Sequence, residues 1–174
     1  MAVNIEIKAK VRDPERVAGV AQRLSGGAGT RLVQHDVFFR CERGKLKLRR
    51  INGASAELIA YKRAAGDKPR PSDYSIAPVA DFEQMRGVLA RSLGEIAEVR
   101  KVRTLQLVGR TRIHLDTVEG LGEFLELEVV LGAGEDIAGA MAEAESLMAQ
   151  LGIEARDLLD RTYAELLAGA QVPG

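Results

Sequence analysis

The chain has 174 residues, 46% apolar and 29% charged, with a formal net charge of +0, an ordinary globular composition for one domain or two small ones. Balanced charge argues against long-range binding to nucleic acid or an acidic membrane, and the single cysteine, Cys41, excludes an internal disulfide. No apolar run approaches the roughly 20 residues of a bilayer span and no signal-peptide core is visible, so a cytoplasmic protein is expected.

Val3-Asn4-Ile5-Glu6-Ile7-Lys8-Ala9-Lys10-Val11 alternates strictly, which predicts a strand with Asn4, Glu6, Lys8 and Lys10 on one face. Asp13-Pro14-Glu15 reads as a helix start, and Ser25-Gly26-Gly27 as its end. Three strands follow, Thr30 to Cys41, Lys45 to Ile51 and Ala56 to Arg63, with Asn52-Gly53 as a hairpin signal. Ala64 to Pro78 reads as a loop because of Gly66, Pro69, Pro71 and Pro78, with Tyr74-Ser75-Ile76 as a short edge strand. Lys68 and Arg70 fall in that loop, either as a lid or as a surface segment. Asp81 caps a second helix. Strands from about Glu98 to Val108, Thr111 to Val118 and Glu123 to Leu131 repeat the first half in outline. Helices from about Asp136 to Leu151 and Asp157 to Leu167 close the chain. The organisation predicted is a single domain over 1–174, with β-meander halves near 1–80 and 81–131 and C-terminal helices over 135–168.

The strand faces sort their charges. Lys45, Lys47 and Arg49 share a face, as do Lys101 and Arg103, Arg112, His114 and Asp116, and Glu126 and Glu128. In an ordinary half-buried sheet such faces meet water. If helices cover the apolar side instead, the polar faces line a barrel of about eight strands with room for one small ligand. Like charges at i, i+2 repel when shielded from water, and a ligand of opposite sign relieves them. Paired carboxylates suit a divalent cation, and rows of Lys and Arg suit phosphate oxygens. Together they describe a site for a metal–polyphosphate complex. His114 reads as a hydrogen-bonded spacer, His35 as facing outward, and Tyr163 as a core or capping residue.

An ordered set of motifs resembles the CYTH family, the triphosphate tunnel metalloenzymes. The opening Glu-x-Glu-x-Lys signature is met by Asn4-Ile5-Glu6-Ile7-Lys8, and a Gln-x-Asp before an aromatic pair by Gln34-His35-Asp36-Val37-Phe38-Phe39. Leu46-Lys47-Leu48-Arg49, the strand ending in Lys62, and Lys101-Val102-Arg103 follow in order. The closing run from Leu115 to Glu128 is the most specific, and Thr162-Tyr163-Ala164-Glu165-Leu166-Leu167 resembles the family's ending. The resemblance implies an α+β fold, an eight-stranded antiparallel β-barrel tunnel with helices packed outside. It implies metal binding by Glu6, Glu126 and Glu128 with Mg²⁺ or Mn²⁺ as cofactor. It implies phosphate binding by Lys8, Lys47, Arg49, Lys62, Lys101, Arg103 and Arg112, and catalytic roles for Lys8, Glu6 and Asp116.

Two positions depart from the family pattern. Asn4 replaces the first Glu: its carbonyl can coordinate, but it brings no charge and no base. Phe38 stands where a Tyr is common. The activity implied is class IV adenylyl cyclase-like conversion of ATP to cAMP and pyrophosphate. The alternatives are triphosphate hydrolysis (tripolyphosphate, thiamine triphosphate or a nucleoside triphosphate) and a binding module without turnover. The expected partner is a small phosphorylated molecule, with no nucleic acid and no membrane, and a homodimer is expected from the family.

Overall fold

The computed structural model describes residues 2–64, 66 and 68–170. Eight strands close into one antiparallel barrel: β1 (Ala2–Lys10), β2 (Thr30–Phe39), β3 (Lys45–Ile51), β4 (Ser55–Arg63), β5 (Arg70–Val79), β6 (Glu95–Val108), β7 (Thr111–Val118) and β8 (Gly122–Leu131). Round the barrel the order is β1-β5-β4-β3-β2-β6-β7-β8. Strands β2 to β5 form one meander and β6 to β8 another, joined through β2 and β6. Strand β1 pairs with β5 on one side and β8 on the other, which removes both sheet edges.

Four helices lie outside: α1 (Pro14–Ser25), α2 (Phe82–Leu93), α3 (Ile137–Leu151) and α4 (Tyr163–Ala170). Asp13, Asp81 and Asp136 accept backbone N–H groups at the starts of α1, α2 and α3, which explains where those helices begin. The apolar faces of β1, β7 and β8 pack outward against α1 and α3. Ile7, Ala9, Ile113, Leu125 and Leu127 meet Val17, Ala21, Leu147 and Leu151 there. Phe82 on α2 packs on Val37, Phe39 and Leu48 of β2 and β3. Most of the hydrophobic core is thus a shell between sheet and helices, a further cluster of Phe38, Val99, Val118, Phe124 and Tyr163 closes one end of the barrel, and the polar strand faces turn inward. None of the helices among the described residues is long and apolar enough to cross a membrane.

Two expectations are corrected. The segment expected as a loop from Ala64 to Pro78 is mostly β5, a ten-residue strand paired with β4 from Ser72 to Val79, and the expected strand Tyr74-Ser75-Ile76 is the middle of this longer one. Both prolines are tolerated because of where they fall. Pro71 stands where β4 ends, and its carbonyl still accepts from Ala64 N–H. Pro78 lies beyond Tyr74, where β5 has β4 as its one neighbour among the described residues. Arg70 therefore belongs to a strand and is buried.

The last helix is also not continuous. Ala155–Asp157 is a single 3₁₀ turn and α4 begins at Tyr163. Between them the chain runs extended, bridging Leu158 to Ala9 and donating Leu159 N–H to Lys8 O at 2.9 Å. Thr162 then starts α4 with a capping box: Glu165 N–H donates to Thr162 Oγ1, and Thr162 N–H to Glu165 Oε2.

Candidate active site

Side chains alternate along each strand, so the residues facing away from the helical shell converge on the barrel axis. They line a cavity of about 400 Å³. The registers give it two ends. Lys10, Phe39, Lys45, Arg63 and Val118 mark one end, and Val3, Thr30, Ile51 and Thr111 the other.

The first end is crossed by the strap 158–165. It is tied to β1 through Leu158 and Leu159, to β4 by Arg63 donating to Asp160 O at 2.7 Å, and to β3 by Lys45 and Glu165 at 2.6 Å. Tyr163 enters the cavity from this strap, buried to 4% exposure. Its hydroxyl donates to Asp116 Oδ2 at 2.9 Å, and Lys8 Nζ lies 3.8 Å from its ring centroid. Tyr163 is thus the packing residue expected and also a wall of the site.

A charged layer lies beneath the strap. Arg103 donates Nε and Nη2 to Asp116 at 2.7 and 2.6 Å and Nη2 to Glu126 Oε2 at 2.6 Å. Lys8 Nζ lies 3.1 Å from Glu126 Oε1. On the facing wall Asp36 takes Arg49 in a two-bond fork at 2.7 Å each, with Lys47 and Lys101 at 3.4 and 3.5 Å. Glu128 accepts from Arg112 at 3.0 Å, and Glu6 from Arg63 at 3.2 Å.

The protonation states follow from this layer. Burial pushes the Glu126 and Asp36 carboxyls up, but the adjacent cations outweigh it and hold both well below the usual range; these are Lys8 and Arg103 for Glu126, and Arg49, Lys47 and Lys101 for Asp36. Glu6 goes the other way: burial and the charges of Glu126 and Glu128 raise it against the pull of Arg63. Burial and the neighbouring Arg103 bring Lys101 down to about 7, and burial with Arg49 brings Lys47 to about 8. His114 is lowered by burial and by Arg103.

The next inward residue on several strands, away from the strap, is aliphatic. Leu32 follows Gln34, Ile51 follows Arg49, Ile59 follows Tyr61, Ile76 follows Tyr74 and Leu105 follows Arg103, all lining the cavity. Ile59 and Ile76 are register partners, whereas Ile59 also faces Lys47, Ile51 faces Gln34 and Leu32 faces Arg103, and Glu57 lines the same end, so these aliphatic side chains are interspersed with polar ones near the open end.

The sequence-expected residues mostly meet here. Glu6, Lys8, Lys47, Arg49, Lys101, Arg103, Arg112, Glu126 and Glu128 all line the cavity, and Asp116 lies directly behind Arg103 and Tyr163. Lys62 is corrected: it is exposed, because the inward set on β4 is Glu57, Ile59, Tyr61 and Arg63. The basic residue β4 contributes is Arg63, one position on. Tyr61, Arg63 and Tyr74 also line the site without having been singled out for it, and His114 lines it on the face where the sequence put it as a spacer.

The residues fit a divalent cation. Glu6 and Glu128 are direct register partners and Glu126 is the next inward residue, so three partly buried carboxylates adjoin. Two further atoms, Asn4 Oδ1 and His114 Nδ1, are buried without a hydrogen-bond partner. Among the described residues, His114, Glu126 and Glu128 bring ligand atoms within 4.8 Å of one another, and Glu6 is not part of that set.

A closed eight-stranded barrel lined by opposed rows of cations and carboxylates defines the triphosphate-tunnel class. The CYTH domain model matches residues 2–163, and the chain belongs to that family. It is 27% identical over 172 residues to a Methanocaldococcus jannaschii protein named "Putative adenylate cyclase MJ0240", covering 94% of this chain and 98% of that one. A solved Pyrococcus horikoshii protein matches with TM-score 0.82 at 21% identity, over 94% of this chain and 98% of its own. A Hippeastrum protein, whose structure is described as revealing a dominant triphosphatase activity, matches with TM-score 0.65 at 15% identity over 99% and 98%.

Proposed function

We propose that the protein is a metal-dependent enzyme acting on a nucleoside triphosphate, converting ATP to cAMP and pyrophosphate. The observation that supports this reading is the composition of the tunnel along its axis: a cationic layer under the strap, then five aliphatic side chains, Leu32, Ile51, Ile59, Ile76 and Leu105, with Glu57 among them near the open end. Phosphates suit the first layer and a nucleoside the second. A bare polyphosphate would leave the second unused.

Lys8, Lys47, Arg49, Lys101 and Arg103 bind and orient the phosphate chain, with Arg63 and Arg112 at its flanks. Glu126 and Glu128, with Glu6 beside them, would hold Mg²⁺ or Mn²⁺, which supplies charge neutralisation at the phosphate oxygens. Asp116 does not touch substrate; it holds the Arg103 guanidinium in one orientation. In the reaction the ribose 3′ oxygen bonds to the α-phosphorus as the bond from that phosphorus to the β-bridging oxygen breaks. The 3′ proton passes to solvent water and pyrophosphate departs.

The likeness to the Hippeastrum protein favours a second reading, in which water attacks the terminal phosphorus and orthophosphate leaves. Product analysis decides. Purified protein is incubated with ATP or tripolyphosphate and Mg²⁺ or Mn²⁺, and cAMP, pyrophosphate and orthophosphate are resolved. cAMP with pyrophosphate is the expected result; orthophosphate alone moves the protein to the triphosphatases. Leu105→Asp is expected to raise KM for ATP at least about tenfold and leave tripolyphosphate binding nearly unchanged. An equal effect on both would remove the nucleoside from these aliphatic side chains.

A further inference from the structure

We infer that His114 is a metal ligand in this tunnel, and that the site accordingly favours a first-row transition-metal dication over Mg²⁺. The inference rests on the reading that the tunnel binds a divalent cation, and adds to it a nitrogen donor.

His114 lies on β7 as the register partner of Glu126, and Glu128 is one inward step along β8. The imidazole is 5% exposed, and its Nδ1 has no hydrogen-bond partner. That nitrogen stands 3.7 Å from Glu126 Oε2 and 3.9 Å from Glu128 Oε1. Both distances are too long for a hydrogen bond. They are the spacing of neighbouring ligands on one ion, since bonds of about 2.0–2.2 Å put ligand atoms roughly 3–4.4 Å apart. A buried nitrogen facing two carboxylates is satisfied either by donating its own proton to one of them or by sharing a cation with both, and at 3.7 and 3.9 Å the first is too long for a hydrogen bond.

The competing contacts leave room for the ion. Glu128 Oε2 serves Arg112, which leaves Oε1 toward His114. Glu126 Oε2 already takes Arg103, but a carboxylate oxygen has a second lone pair. Glu6 turns to Arg63, and Asn4 offers at most a neutral carbonyl. The close donors are then two carboxylates and one imidazole. Mg²⁺ demands oxygen ligands and gives up water reluctantly, whereas first-row transition dications accept imidazole.

The test uses Mn²⁺ as probe. Loss of the free-ion electron paramagnetic resonance signal measures affinity, Mg²⁺ competition measures selectivity, and electron spin-echo modulation of the bound ion reads ¹⁴N coupling. The expected result is an imidazole-type nitrogen coupling in the wild-type protein, and binding of Mn²⁺ at least about tenfold tighter than Mg²⁺. His114→Ala is expected to lose the coupling and weaken Mn²⁺ at least about tenfold, with a smaller change for Mg²⁺. The chain has two histidines, and His35 packs outside on Phe82, so such a coupling has one source. Bound Mn²⁺ without nitrogen coupling would overturn the inference and leave the metal tunnel standing. No bound Mn²⁺, with or without tripolyphosphate, would overturn both. The wild-type spectrum decides even if His114→Ala fails to fold.

Discussion

Glu126 shows how one residue can serve both the fold and the site. It is the shared acceptor of Lys8 and Arg103, and those cations keep it ionised despite burial. Glu126→Gln removes the charge but keeps the shape and one carbonyl acceptor. The outer core of Leu125 and Leu127 is untouched, so the variant should fold, destabilised by about 1–3 kcal/mol because buried Lys8 loses its carboxylate while Arg103 keeps Asp116. Turnover should fall at least about a hundredfold. A kcat comparison with ATP alongside a thermal melt checks both; full activity, or an unfolded variant, would sink the assignment. Much at this scale was legible from residue types alone. Glu126, Glu128, Lys101 and Arg103 could be read because acids and bases repeat at i, i+2. His114 could not be read as more than a spacer, because its role depends on an unpartnered Nδ1 that only a neighbouring strand's register reveals.

At the scale of elements the limiting factor is strand phase. One residue of slip turns every side chain to the opposite face. On β8 the alternation is clean, and on β3 and β6 the i, i+2 pairs Lys47/Arg49 and Lys101/Arg103 mark the inward face although Arg50 and Arg100 lie on the other. On β4 the run Ile59-Ala60-Tyr61-Lys62-Arg63 carries bases on both faces, and the family resemblance pointed to Lys62. Its position opposite Asp73 on the outward face, with Arg63 inward against Glu6, decides otherwise. Lys62→Ala should therefore leave KM for ATP within about twofold, and Arg63→Ala should raise it at least about tenfold. Steady-state kinetics on the pair is the check, and the reverse order would mean that β4 is phased the other way in solution. The strap was missed for a different reason. Leu158, Leu159 and Leu166 continue a helical apolar rhythm, but Leu158 and Leu159 spend their backbone bonds on β1. The Thr162-x-x-Glu165 capping box marks the true start of α4 and was readable as such. Thr162→Ala should cost about 1 kcal/mol and loosen the closed end. A drop of a few degrees in Tm with a raised KM is expected, and an unchanged Tm would show that the strap holds without its cap.

The whole molecule is an apolar shell around an electrostatic site built against its own stability. Lys101 and Lys47 sit at about 7 and about 8 because burial and neighbouring arginines disfavour their charge. A lysine whose folded pKa is depressed adds stability that is fully present above its unfolded value near 10.4 and is lost as pH falls through the folded value. Stability of the free protein should therefore rise with pH between about 7 and 10. The depressed carboxyls of Asp36 and Glu126 give the same sign at the acid end, where stability falls as they protonate. Tyr61 and Tyr163, both raised by burial, reverse the trend above about pH 10. Lys101→Met removes the charge and keeps much of the volume. It should raise the Tm of the free protein at pH 7 by about 2–6 °C and flatten the rise toward pH 9. The same variant should lose more than half of the Tm gain that tripolyphosphate gives the wild type, because the charge that burdens the free protein is among those proposed to hold the anion. Melts at pH 6, 7.5 and 9, with and without tripolyphosphate, read both effects. A variant that is less stable when free, yet equally stabilised by the anion, would show that Lys101 is a packing residue and that the phosphate chain lies elsewhere in the barrel.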